Sequence, residues 1–545
     1  MKAYAANALW VAACWSEWRR FQRAAERVEE TQTALLSHYL SSNKATVYGE
    51  QHHFSGITSP SQYQNQVPLT TYDDYVEHIS RIGEGQGSLL TAEPVRMFEL
   101  SSGSTAASKL IPYTDSLKAE FQRGIAPWIY DLYTHNPGLQ RGPAYWSITP
   151  LMDGKRFTSA GIPIGFDSDS AYLGTFGKWL VDSVMAAPNA VKNISNIDSF
   201  RYVTLLYLLR QPDLRLISVW NPTFLSLLLA PLAEWWECLL RDIERGTVSL
   251  GDVDLRLTPK PKLARALRAL SPTDYESLWP HLGLISCWRD GASGPYARLL
   301  EEMFPHVRLQ GKGLLATEAF VSVPIVGVPE GGSVLSINSH FFEFIDEAGE
   351  CLLAHQIEKG KTYSVVITTG GGFYRYQLHD ILEVVGHWKQ IPCIRFVGKE
   401  DHISDWFGEK LEERFVANTL EQMFAAYGIS PAFAILAPED SVNGFHYALF
   451  IESNHFDHDL GKDLDDALRT NFHYDYCRKL GQLGAVQIVN VTRGTERYLH
   501  ACQARGQKLG NIKPSVLQKN TGWKEWLANT FPLPLGEGQG EGLTA

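Results

Sequence analysis

Apolar and polar positions change rhythm three times along the 545-residue chain. The first 80 residues read as helices ending in polar turns. The middle alternates short apolar runs with helical patterns: Ala144-Tyr145-Trp146-Ser147-Ile148, Leu216-Ile217-Ser218-Val219-Trp220 and Gly283-Leu284-Ile285-Ser286-Cys287-Trp288, separated by helices such as 224–243. Uninterrupted apolar runs between helices predict a largely parallel sheet covered on both faces. From about Val334 the texture becomes alternating, and 336–338, 340–345 and 363–368 predict antiparallel strands or a small barrel.

Another shift near Phe396-Val397-Gly398-Lys399 opens a pattern of one helix (409–427) and strands near 432–436 and 446–452, which predicts a compact second domain. The expected division is 1–398, 399–525 and a disordered tail over 526–545, whose Pro-Leu-Pro-Leu-Gly-Glu-Gly-Gln-Gly-Glu-Gly stretch offers few side chains to anchor it. Two segments imitate membrane signals. Residues 3–15 are mostly apolar behind Lys2, but lead into a mixed helical pattern without a clear cleavage site. Residues 216–233 lack charge, yet Asn221-Pro222 interrupts them, which favours a buried strand, turn and helix over a membrane span.

Composition narrows the classes. The chain is 44% apolar and 20% charged, enough for a large core. Lys+Arg 49 against Asp+Glu 60 gives a net charge of -11, which argues against nucleic acid or an anionic membrane as partner. Seven scattered cysteines without a Cys-x-x-Cys pair point to a reduced, cytoplasmic chain rather than a disulfide framework or zinc ribbon. His52-His53 and the cluster from Asn454 to Asp459 lack regular zinc spacing and read as surface.

The strongest chemical signal is Ser101-Ser102-Gly103-Ser104-Thr105-Ala106-Ala107-Ser108-Lys109. Hydroxyls and backbone N–H groups bind phosphate oxygens, and a lysine compensates their charge. It is no Walker A loop, and a solvated Ser/Thr turn stands as the alternative on composition alone. Two glycine-led segments each end in a carboxylate: Gly311-Lys312-Gly313-Leu314-Leu315-Ala316-Thr317-Glu318 and Gly370-Gly371-Gly372-Phe373-Tyr374-Arg375-Tyr376-Gln377-Leu378-His379-Asp380. A Glu can ligate magnesium and an Asp can accept from ribose hydroxyls, although single carboxylates after a turn are usually caps.

The loop resembles the phosphate loop of the firefly-luciferase-like adenylate-forming superfamily. With Thr46-Val47-Tyr48-Gly49, Val67-Pro68-Leu69, Gly161-Ile162-Pro163-Ile164-Gly165, Val219-Trp220-Asn221-Pro222-Thr223-Phe224 and Phe373-Tyr374-Arg375-Tyr376, the chain resembles the auxin-responsive Gretchen Hagen family of acyl acid amido synthetases from about residue 10 to 520, as a bacterial member. The resemblance implies an α/β fold. A large N-terminal adenylate-forming domain would have parallel and mixed sheets with helices plus a small β-barrel-like part, followed by a smaller, mobile α+β C-terminal domain. It implies ATP and magnesium, with a small-molecule carboxylic acid and an amine, usually of an amino acid, as substrates. By that likeness Ser102, Gly103, Ser104, Thr105 and Lys109 would hold the β/γ-phosphates, and Thr317 the AMP phosphate or acyl group. Glu318 would ligate magnesium, Gly311 and Gly313 would line the adenine slot, and Asp380 would grip the ribose beside Tyr374 and Tyr376. Lys399 would mark the hinge, and Lys513 would reach the phosphate on closure.

Several positions depart from that pattern. Ala106 and Ala107 replace glycine, Leu314 an aromatic residue, His379 the glycine before the ribose-binding Asp, Lys399 an arginine and Ser515 another arginine. Alternative readings are an adenylate-forming enzyme with CoA as acceptor, and a catalytically degraded nucleotide-binding homologue. The sequence leaves open the acid, the amine and the oligomeric state.

Overall fold

Trp10, Cys14, Trp18 and Phe21 are all buried on the first helix, Lys2–Ala24, at the four- and three-residue steps that keep side chains on one helical face. That face packs on the helix Asp115–His135, where Trp18 stacks on Tyr130 at 5.6 Å between ring centroids. The computed structural model describes residues 2–101, 109–147, 156–165, 183–194, 196–251, 253–329, 331–400, 403–441, 444–453, 460–505, 507, 512 and 515–528, the side chains of 101, 156, 292 and 295 excepted.

The chain divides into two units, the first comprising 1–290 and 294–396, the second 291–293 and 397–545. The three apolar runs of the middle form neighbouring strands. Ala144–Trp146, Leu216–Ser218, Leu284–Cys287 and Arg308–Gly311 lie side by side in that order, all parallel. Leu216, Ile217, Leu284 and Ile285 are fully buried, as expected of strands covered on both faces. The uncharged stretch after residue 216 is this strand followed by a helix, Pro222–Leu229. No single described helix is long and apolar enough to cross a membrane; only the bent pair Pro222–Leu232 and Trp236–Arg245 passes by length and composition together.

The alternating region forms a seven-stranded sheet with Ser322–Val323 and Cys351–Leu353 at its edges and the long strands Tyr376–Trp388 and Ile391–Lys399 within it. Residues 336–338 form a turn rather than a strand: Ser339 Oγ donates to the Ser336 carbonyl at 2.6 Å, closing the chain back on itself. A smaller antiparallel pair, Met97–Ser101 and Lys109–Tyr113, sets Ser101 opposite Lys109, so that the two strands hold both ends of the hydroxyl-rich segment.

In the second unit the helix Glu413–Tyr427 accompanies an antiparallel pair, Phe433–Ser441 and Gly444–Glu452, with Gln487–Asn490 parallel to the latter. Glu409 is fully buried and accepts from the N–H groups of Trp406 (3.0 Å) and Phe407 (2.8 Å) and from the Tyr447 hydroxyl (2.6 Å), a turn-stabilising role. The expected tail needs correction at its start. Trp523–Leu527 is a helix, and both Trp523 and Leu527 are buried in the unit's core, because these apolar side chains supply the anchor that the following Gly-rich stretch lacks. Residues 529–545 lie outside the described set.

Candidate active site

Thr317 and Glu318 stand at the tip of a tight turn. The backbone closes behind them through Ala316 N–H donating to Ala319 O at 2.9 Å, beside the bridge of Leu315 to Phe320. Two long-range bonds fix the turn. The Tyr113 hydroxyl donates to the Thr317 carbonyl at 2.5 Å, and the Phe320 N–H donates to Nε2 of His340 at 2.9 Å. Upstream, Gly313 lies where any side chain would collide with its neighbour, since a Cβ there would be 1.9 Å from the Ser322 carbonyl oxygen. Glycine at 313 therefore serves the close packing of the segment on itself.

Asp380 reaches the same neighbourhood through an irregularity in its strand. Between the pairs Val366↔Gln377 and Ser364↔Ile381 one strand advances by two residues and the other by four, so two extra residues bulge out. His379 lies in the bulge with φ +57°, the left-handed conformation that glycine adopts without strain. Asp380 is 2% exposed and Glu318 7%, unusual burial for carboxylates outside a site.

Tyr376 joins the two. Burial pushes its phenol well above the ordinary range, reinforced by the Glu318 charge, by Tyr72 and Asp380, and by its hydrogen bond to Glu318. Its ring stacks on Phe373 at 4.5 Å. Tyr72 connects this group to the loop's far end: its oxygen accepts from the Leu110 N–H at 2.7 Å, and the Lys109 ammonium lies 5.4 Å from the centroid of its ring. Glu318, Tyr376, Asp380, Tyr72 and Lys109 thus form one connected cluster inside the first unit.

The remaining expected residues fall elsewhere. Tyr374 has no exposed surface: it stacks on Tyr48 at 4.9 Å and its hydroxyl donates to the Leu90 carbonyl at 2.8 Å, which makes it a core residue and corrects its expected place in a cleft wall. The first of the three glycines serves packing too, since a Cβ at Gly370 would lie 2.3 Å from Glu120 Oε1, to which its N–H donates at 3.0 Å. Gly311 ends its strand. Lys399 ends the strand Ile391–Lys399, in the second unit, and Ser515 donates to Glu413 at 2.6 Å. Ser102, Gly103, Ser104, Thr105, Ala106, Ala107 and Lys513 lie outside the described residues, as does the histidine cluster at 454–459.

Two buried ion pairs support the site, and only Arg375 among their four members lies in a motif. Glu120 and His340 pair at 2.9 Å, fully buried; because Nε2 of His340 accepts from Phe320, it is the Nδ1 proton that faces Glu120. Arg375, with φ +48°, pairs with buried Glu343 at 3.1 Å and donates to the carbonyls of Gln64 and Val67 at 2.8 Å. All are paired across more than 200 positions or through backbone carbonyls, which no local spacing reveals.

No group of three or more His, Cys, Asp or Glu that could hold a metal exists among the described residues. Glu318 alone suits magnesium, which keeps several waters and is commonly bound through one or two carboxylates plus substrate phosphates. Cysteine chemistry has no support here: Cys14, Cys287, Cys351 and Cys393 are each pushed up to about 12, chiefly by burial, and are thiols at neutral pH.

Comparison with known proteins gives the family and the fold. Indole-3-acetic acid-amido synthetase GH3.2 of Arabidopsis thaliana is 26% identical over 483 residues, covering 81% of this chain and 86% of the relative. Indole-3-acetic acid-amido synthetase GH3.8 of Oryza sativa subsp. indica is 26% identical, covering 89% and 87%. The solved structure of the AtGH3.15 acyl acid amido synthetase in complex with 2,4-DB superposes with a TM-score of 0.81 at 20% identity, covering 94% of each chain. A 2-hydroxyisobutyryl-CoA ligase in the postadenylation state shares the fold more distantly, with a TM-score of 0.51 at 11% identity over 91% of this chain and 90% of that one. Residues 17–309 match the GH3 family N-terminal domain, 333–399 the GH3 family central domain and 414–522 the GH3 family C-terminal domain. This chain belongs to the GH3 family.

Proposed function

We propose that the protein is an ATP-dependent acyl acid amido synthetase. A carboxylic acid is activated as its adenylate with release of pyrophosphate, and the acyl group then passes to an amine, that of an amino acid, with release of AMP. The observation that carries this reading is the convergence of Glu318, Asp380 and Tyr376 with Lys109 at the anchored end of the hydroxyl-rich loop.

The chemistry follows from charge. Carboxylate oxygen is a poor leaving group and AMP a good one, so adenylation makes the carbonyl carbon open to attack. Charge on the phosphates must be offset, which suits Lys109 with the loop hydroxyls. Magnesium held by Glu318 would supply further offset for the phosphate oxygens. Asp380, buried beside the bulge, suits the two ribose hydroxyls as an acceptor. Tyr376 orients Glu318 through its hydrogen bond. Seven cysteines without a disulfide fit a reducing, cytoplasmic setting.

The test is product analysis of a mixed panel of acids and amino acids by mass spectrometry. Pyrophosphate should require ATP, magnesium and an acid together, and amide should appear only when an amine is added. Absence of any acid-dependent pyrophosphate across a broad panel would overturn the reading. CoA offered in place of amino acids separates amide from thioester formation.

A further inference from the structure

A row of polar side chains crosses the interior of the parallel sheet at its carboxyl end. Trp146, Ser218, Ser286 and Gln310 pair in register across the four strands, so the four face the same way. Lys312 and Trp220 each follow two residues after members of this row and share its face. The backbone ladder extends to them: Lys312 N–H donates to Cys287 O at 2.9 Å and Trp288 N–H to Trp220 O at 2.8 Å. Carboxyl ends of parallel strands are where ligands enter α/β sheets.

Lys312 reaches back over this row. Its ammonium donates to Ser218 Oγ at 2.7 Å and lies 4.7 Å from the Trp220 ring centroid and 5.0 Å from that of Trp128. Trp128 is itself fixed, its indole N–H donating to Gln310 Oε1 at 3.1 Å. Lys312 has no carboxylate within ion-pair distance among the described residues, and the adjacent Cys287 is a thiol rather than a thiolate. Arg289, the other nearby cation, is paired with Glu301 at 3.3 Å. On the neighbouring strand, in register with Ser218, the Ser286 hydroxyl is fully buried and has no hydrogen-bond partner among the described residues.

A lysine between two indoles gains cation–π attraction at each face, which is smaller than the cost of removing an ammonium from water. Accordingly burial drags Lys312 down to about 7. An anion arriving from solvent would restore its charge. Lys312 as a residue remains partly exposed, so the box has an opening.

We propose that Lys312 and Ser218, with the buried Ser286 hydroxyl in register beside Ser218, receive the carboxylate of the acid substrate between Trp128 and Trp220. This rests on the function proposed above. The same segment continues from Lys312 through Gly313 to Thr317 and Glu318, which places acid recognition and the phosphate-facing carboxylate on one stretch of backbone.

Calorimetry on the full chain without nucleotide tests binding directly, using indole-3-acetate and benzoate against the neutral indole-3-acetamide and benzamide. A carboxylate preference of tenfold or more is expected in the wild-type protein; equal affinities, or no binding, overturn the proposal. In acid-dependent pyrophosphate release, Lys312→Met and Ser286→Ala should raise the KM for the acid at least tenfold and severalfold respectively, with the KM for ATP unchanged. An unchanged KM for the acid in folded Lys312→Met overturns the acid site while leaving the synthetase reading intact. Loss of pyrophosphate release with every acid in the wild-type protein would instead strike the synthetase reading.

Discussion

Glu120 holds two loops with one carboxylate: it takes the Nδ1 proton of His340 at 2.9 Å and the N–H of Gly370 at 3.0 Å. His340 in turn fixes Phe320, two residues beyond Glu318, while Gly370 begins the segment that ends at Asp380. Both carboxylate-bearing segments are therefore referenced to a single helix, Asp115–His135. Breaking a buried pair by removing one partner costs about 3–5 kcal/mol. Glu120→Ala should lower the unfolding midpoint strongly, and Glu120→Gln less, because an amide oxygen can still accept. Thermal melts of both variants decide it; an unchanged melting temperature in Glu120→Ala would show that the pair is not structural.

Asp380→Ala should weaken nucleotide binding while leaving the acid site alone. A hydrogen bond to a charged group contributes about 1.5–3 kcal/mol, roughly a ten- to hundredfold change in Kd. AMP titration measures this, and unchanged affinity would contradict the ribose assignment.

Glu318→Gln keeps the shape of the turn and removes the charge. Pyrophosphate release should fall by about 10²-fold or more, with little change in melting temperature. Full activity in this variant would remove Glu318 from the chemistry.

Gly313→Ala should be among the most damaging small changes in the chain. Its Cβ would meet a backbone oxygen at 1.9 Å, and backbone cannot swing aside as a side chain can. A loss on the order of 3 kcal/mol or more is expected by equilibrium denaturation.

Asp290 gives a pH-dependent test. Burial raises its carboxyl from 3.8 to about 6, opposed by Arg395, Arg289 and the Phe396 N–H. The folded state thus holds a proton that the unfolded chain releases between about pH 4 and 6, and ionised Asp290 costs stability above pH 6. Asp290→Asn removes that cost and should raise the melting temperature fully at pH 8, less near pH 4.5 and not below the ordinary carboxylate value of 3.8. A gain confined to the acidic side would reverse the assigned direction.

Much of this architecture is visible in local pattern. The apolar runs at 144, 216 and 283 gave a parallel sheet because burial on both faces leaves no room for alternation. Glu318, Asp380 and Tyr376 were marked by their glycine-led segments, and the structure brings them together. Glu120, His340 and Glu343 are silent in the sequence, and Arg375 has no visible role within its motif, because a buried charge is explained only by its partner, and here the partners are 220 and 32 residues away. Lys312 sits inside a motif as one residue between two glycines; its side chain gains meaning only where Ser218 and Trp220 arrive from another segment. Tyr374 misled through its neighbour, since a left-handed Arg375 between them turns Tyr374 inward.

The left-handed histidine in the bulge bears on whether this chain is a relic. A side chain in that conformation costs about 1–2 kcal/mol, but glycine there would give the unfolded chain extra freedom worth about 0.4–1 kcal/mol. Much of the difference cancels. Histidine in place of glycine at position 379 therefore burdens the fold only slightly.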